Sequence, residues 1–294
     1  MVDNYLHSFR IRFEKELFRS IEQMGEKNTL RDACEYALTN GGKRLRPLIV
    51  LAIADALGNG LDVLPASLGV EYFHTASMIA DDLPCMDNDD ERRSQPALHK
   101  AFEEGVALLA SYSLISAGYE AIYRNGQLMK KHPLFASQSD AATVLGLEIV
   151  TGCAGILGAT NGQFLDLYPP DQTLETILKI IHQKTVTLFQ ISFALGWLFG
   201  GGDLLRIEQV KQCAAHMGMA FQIADDLQDD LQDQKQQSEI NIASICGDQA
   251  AASLFEKEMF SLESALQDLG LWTPPFQQMA QLLRASIPAK SARE

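Results

Sequence analysis

Asp225, Asp226 and Asp229 lie in FQIADDLQDD, a strongly helical stretch where spacings of i+3 and i+4 bring the three acids to one face. Like charges stacked in this way cost about 0.2–0.5 kcal/mol per pair. The flanking Phe221, Ile223 and Ala224 are apolar, so the acids could point into a protected site. Mg²⁺ would remove the conflict, because it takes one or two carboxylates together with waters and phosphate oxygens. A solvated acidic helix end is the other reading of the same three residues.

A second acidic set, Asp81, Asp82 and Asp87, stands in DDLPCMD. Spacing of i+6 does not return Asp87 to the face of Asp81 on a straight helix, but Pro84 ends the helix and allows a turn to do so. Arg92 and Arg93 follow directly; they suit diphosphate oxygens by bidentate hydrogen bonding, or pair with the acids of 87–91. GGKRLRP (41–47) is a glycine turn feeding a helix, either a plain cap or an anion site reached by Lys43 and Arg46. His182-Gln183-Lys184-Thr185 adds a cation and a hydroxyl.

The elements that must carry these residues are helices. Phe9, Phe13, Leu17 and Ile21 recur at i+4 and give an amphipathic first helix ended near Gly25. Helices are also expected over 29–40, 47–57, 64–81, 97–125, 138–152, 173–183, 186–200, 205–227 and 250–268. Breaks are expected at Gly41-Gly42, Gly58-Asn59-Gly60, Pro84, Pro133, Pro169-Pro170, Gly200-Gly201-Gly202 and Pro274-Pro275. No alternating strand pattern stands out. The expectation is one all-α domain over 1–294, with a polar tail from about 287.

Net charge is −14 over 294 residues, which argues against nucleic acid and anionic membrane surfaces as partners. Five scattered cysteines without a CxxC pair fit reduced thiols. The N-terminus shows no apolar signal core. The apolar run 186–199 contains Gln190 and Ser192 and falls short of a membrane span, so a soluble cytoplasmic protein is expected.

Taken together, GGKRLRP, DDLPCMDNDDERR, NGQFLDL, HQKT and FQIADDLQDD resemble the trans-polyprenyl diphosphate synthase family, in the expected order from about 41 to 230. The resemblance implies a single large helical bundle around a central cavity, a homodimer, and aspartate motifs that face each other. It implies three Mg²⁺ ions bound or supported by Asp81, Asp82, Asp87, Asp225, Asp226 and Asp229. Arg92, Lys184, Thr185 and Gln222 match positions that contact the allylic diphosphate. Lys43, Arg46, His74 and Arg93 match those that hold isopentenyl diphosphate. The implied reaction is a head-to-tail prenyl transfer giving a C15–C20 diphosphate.

Ala76 stands five residues before Asp81, with Ser77 after it, where enzymes that stop at farnesyl diphosphate often carry an aromatic. A small residue there favours C20 over C15, with Phe73 or Tyr72 as the floor a turn below. HTASMIADDLPCMDN is also similar to bacterial geranylgeranyl diphosphate synthases.

The chain departs from the family in carrying Ala80 before the first motif and Ser111-Tyr112 where many members have Gly-Asp. After the second motif the Lys-x-x-Gly-x-Asp stretch is absent, leaving Lys235 as the cation that could serve in its place. A non-catalytic regulatory subunit and a terpene cyclase are the alternatives; intact Lys43, Arg46, His74 and both aspartate motifs speak against each.

Overall fold

LRPLIVLAIADAL has no polar face, and the helix it forms, α3 (Leu45–Leu57), buries every residue from Pro47 to Ile53. The computed structural model describes residues 5–232 and 241–287, with side chains to 228 in the first stretch. Before α3 come α1 (Tyr5–Glu22) and α2 (Thr29–Thr39), and after it α4 (Leu64–Asp81). A hairpin of β1 (Glu91–Arg92) and β2 (Gln95–Pro96) leads to α5 (Leu98–Phe102) and α6 (Glu104–Met129). Then follow α7 (Ser139–Ala154), α8 (Ala159–Leu167), α9 (Leu174–Ile181), α10 (Thr187–Phe199), α11 (Ile207–Gln232), α12 (Ile242–Cys246), α13 (Asp248–Asp268) and α14 (Pro274–Ser286). The fold class is all-α.

Contacts divide the chain into two compact units: Met1–Glu148 with Leu195–Gly202, and Ile149–Ala194 with Asp203–Glu294. In the first unit, α4 crosses α6 closely. A Cβ built at Gly69 would stand 3.2 Å from the Gly118 carbonyl oxygen and 3.3 Å from Ala121 Cβ. Buried polar groups tie α4 to its neighbours: Ala66 N–H donates to Asn125 Oδ1 of α6 at 2.9 Å and Tyr72 O–H to Ser20 Oγ of α1 at 2.7 Å. In the second unit α11 packs on α13, and the ring pairs Phe189–Phe221 and Phe193–Phe276 fill its core. All five cysteines are free thiols; burial pushes Cys34 and Cys153 up to about 11.

Four expectations need correction. The 91–96 hairpin is a strand pair, unseen because its two-residue strands are too short for alternation and are rich in polar residues. The single helix expected over 97–125 is broken at Glu103, which adopts φ 72° between α5 and α6. Pro274-Pro275 begins a helix instead of interrupting the chain, because proline at the first helical positions gives up an N–H that has no partner there. Run 186–199 is not the stretch nearest a membrane span. Glu104–Met129 and Ala136–Leu167 are long and apolar enough to cross a membrane by length and composition, although turn residues 155–158 interrupt the second.

Candidate active site

The turn after α2 is built to hold cations. Gly41 and Gly42 take φ 90° and 107°, and Arg44 follows at φ 54°. Arg44 turns inward: Nε donates to Glu14 at 3.0 Å, Nη1 to Glu71 at 2.5 Å and Nη2 to the Leu38 carbonyl at 2.5 Å. That anchorage leaves Lys43 exposed and Arg46 half-buried on either side. The sequence reading passed over Arg44; the clue was a third cation in GGKRLRP with no place of its own.

Arg93 lies flat on the same turn. A Cβ at Gly42 would stand 2.6 Å from Arg93 Cζ, so only glycine admits the guanidinium there, and Arg93 Nη1 donates to the Gly41 carbonyl at 2.7 Å. Arg46 Nη1 lies 3.4 Å from His74 Nε2, while buried His74 Nδ1 has no partner among the described residues. Burial first, then Arg46, Arg93 and Arg44, holds His74 well below the usual histidine range. Arg93 is also lowered, by burial and by Arg44 and Arg92, against the opposing pull of Glu71. Arg46, Arg93 and His74 thus gather at one turn, groups that suit a multiply charged anion.

The first acidic motif adjoins this cluster. Helix α4 ends at Asp81 ahead of Pro84, and the following turn closes with Asp87 N–H donating to the Asp81 carbonyl at 2.9 Å. The expected return of Asp87 is what the chain does. Asp82 is buried and accepts from Arg92 Nε at 3.0 Å, with a further bond from Nη2, which also reaches Asp89 at 2.9 Å. Burial raises the Asp82 carboxyl, against the lowering effect of Arg92. Asp81 is half-buried and Asp87 exposed. Of the two arginines, Arg92 pairs with acids, and Arg93 donates to the Gly41 carbonyl.

Arg93 and Ser94 form the two-residue turn of the hairpin with φ 57° and 61°, the left-handed pair of a type I′ turn usually built from Asn-Gly. Such conformations cost about 1–3 kcal/mol each for ordinary residues and persist where the surroundings hold them. Here Tyr36 O–H donates to the Pro96 carbonyl at 2.9 Å and Asn40 Nδ2 to the Arg92 carbonyl at 3.4 Å. Tyr36 and Asn40 thus pin the arginine hairpin to α2, a role with no sequence signal.

In the second unit the run from α9 to α10 is continuous through a π turn, His182–Val186, in place of the expected break between two helices. Such turns re-aim side chains and recur at functional sites. Lys184 Nζ meets Asp166 of α8 at 2.5 Å, and Asn161 Nδ2 donates to Gln183 at 2.8 Å. Thr185 Oγ1 donates to Gln222 Oε1 at 2.8 Å, and Gln222 Nε2 to Asp226 Oδ1 at 2.8 Å. Ile242 N–H, in the first turn of α12, donates to Asp226 Oδ2 at 3.0 Å. Asp226 is buried and Asp225 half-buried. The Asp229 side chain and all of Lys235 lie outside the described residues.

Phe73 and Ala76 are buried on α4, and Ser77 Oγ bonds the His74 carbonyl at 2.9 Å. Among the described residues no three acidic, histidine or cysteine side chains cluster closely enough to hold a metal alone. The donors still suit Mg²⁺, which is satisfied by one or two carboxylates if phosphate oxygens complete its shell.

A family model described as polyprenyl synthetase matches residues 27–244. Heterodimeric geranylgeranyl pyrophosphate synthase large subunit 2 of Arabidopsis thaliana is 33% identical over 270 residues, 90% of this chain and 67% of that one. Farnesyl diphosphate synthase of Geobacillus stearothermophilus is 36% identical over 229 residues, 77% of this chain and 74% of that one. Among solved structures, a geranyltransferase from Legionella pneumophila superposes with a TM-score of 0.81 at 26% identity, covering 95% of both chains.

Proposed function

On the premise that this chain belongs to the polyprenyl synthetase family, we propose that it joins isopentenyl diphosphate head to tail to an allylic diphosphate and releases a C15–C20 product, C20 favoured. The observation that carries the reading is the convergence of Arg46 and Arg93 on His74, which is held well below the usual histidine range, with Lys43 on the same turn. These residues hold the diphosphate of the isopentenyl substrate. Arg92, Lys184, Thr185 and Gln222 bind the allylic diphosphate.

The six aspartates divide into two kinds of work. Asp82 and Asp226 are buried and already engaged, by Arg92 and by Gln222 with Ile242 N–H, so they position their neighbours. Asp81, Asp87 and Asp225 are more accessible and hold magnesium, with Asp229 one turn on from Asp225. Magnesium bound there, three ions in the family pattern, would supply positive charge to the leaving diphosphate. The allylic C–O bond breaks, the isopentenyl double bond attacks the allylic carbon, and the released diphosphate takes the proton that is lost. Apolar walls such as α4 about Ala76 keep water from the cation.

Ala76, 1% exposed, favours C20 because an aromatic there would close the wall one turn earlier. The assembly is proposed to be a homodimer; Leu109, Tyr112 and Tyr123 of α6 leave an apolar face half or more exposed, which a second copy would cover. Purified protein incubated with Mg²⁺, isopentenyl diphosphate and C5, C10 or C15 primers tests the reading. A C20 product is expected, a C15 product would correct the length, and no product from any primer would favour a non-catalytic subunit.

A further inference from the structure

We propose that Gly118 of α6 is a specificity-determining residue, setting product length by letting the Phe73 ring lie back against α6; the proposal rests on the synthase reading above. Phe73, Ser77 and Asp81 follow one another at i+4 along α4, on one line of the helix. Phe73 therefore stands two turns, about 12 Å at 1.5 Å per residue, from the first metal-binding acid. A product growing along that line away from its diphosphate reaches Phe73 as its floor.

The position of that floor is decided on the opposite helix. A Cβ at Gly118 would stand 2.6 Å from Phe73 Cζ, 2.7 Å from Cε1 and 2.9 Å from Cε2, so the ring tip occupies the space a side chain would need. Tyr119 meets the same ring edge-on, with centroids 5.2 Å apart. The helices cannot slide to relieve a clash. Buried Ser111 Oγ donates to the Ala76 carbonyl at 2.9 Å, and α4 lies so close at Gly69 that a Cβ there would stand 3.2 Å from the Gly118 carbonyl oxygen. Ser111, one of the departures from the family pattern, thereby pins α6 to the wall one turn above the floor. With both backbones fixed, a methyl at 118 turns the ring off α6 and towards the line of Ser77 and Asp81.

The test measures product length for wild type, Gly118→Ala, Phe73→Ala and the double variant, with thermal melts to confirm folding. Gly118→Ala is expected to shorten the main product by one isoprene unit. Phe73→Ala lengthens it by at least one, and the double variant matches Phe73→Ala because no ring remains to be displaced. Should Gly118→Ala not fold, Phe73→Met with and without Gly118→Ala replaces it. The flexible side chain bends around the methyl, and the pair is expected to give the shorter product. Phe73→Ala lengthening the product while the alanine at 118 changes nothing in either background would overturn the proposal and leave the synthase reading intact. A wild type without product would instead overturn that reading.

Discussion

Burial first, then the charges of Arg46, Arg93 and Arg44, hold His74 well below the usual histidine range, and burial with Arg44 and Arg92 lowers Arg93 as well. On α11, Asp226 stands beside Asp225 and accepts from Gln222 and from the Ile242 N–H. The first region gathers cationic groups, and the second gathers acids, with Asp225 and Asp229 on the same helix face. The lesson is that the ligands differ in kind. On the proposed reading, a substrate diphosphate alone completes the cation cluster, whereas the acids need a metal ion before they can meet any phosphate.

The largest effect expected from breaking this contrast is on the acids that accept metal. Asp81→Asn and Asp225→Asn should each lower kcat by about a thousandfold or more, an order of 4 kcal/mol of charge stabilisation, in steady-state assays at saturating Mg²⁺. Asp82→Asn and Asp226→Asn should cost markedly less in kcat, since those carboxylates position neighbours. Equal losses at all four positions would erase the division of roles.

Next in size is Arg44→Ala, which strands buried Glu71 without its partner; both side chains are nearly inaccessible. A loss of about 3–5 kcal/mol is expected, read as a lower midpoint in urea. Arg93→Ala should raise KM for isopentenyl diphosphate by roughly 30- to 150-fold, about 2–3 kcal/mol, with kcat near wild type. A fall in kcat alone would place Arg93 with the allylic diphosphate instead.

The smallest effect is on pH dependence. His74 is held well below the usual histidine range in the fold, so below about pH 6.5 the unfolded chain takes up a proton that the folded chain refuses. Stability therefore falls as pH drops through that window, by at most about 1.4 kcal/mol per pH unit for this one group. Urea midpoints between pH 5 and 7 should vary less steeply in His74→Asn than in the wild type.

What the sequence made legible follows from the range of each interaction. Pro84 announced the end of α4 and the return of Asp87, because proline acts on its own turn. The helix-rich class was legible in apolar spacing. Arg44 was not, since its partners Glu14 and Glu71 lie far from it in sequence. Nor were Tyr36 and Asn40, whose work is to hold a hairpin that itself has no periodic signature. The split between Asp82 and Asp81 was hidden as well, for adjacent identical residues differ only in what the fold turns towards them.

Calorimetric titration of each diphosphate into metal-free protein tests the contrast most directly. Isopentenyl diphosphate is expected to bind without Mg²⁺ and to lose that affinity in Arg93→Ala, while the allylic diphosphate binds only once Mg²⁺ is added. Binding of isopentenyl diphosphate that appears only with Mg²⁺ would contradict the assignment of the cation cluster.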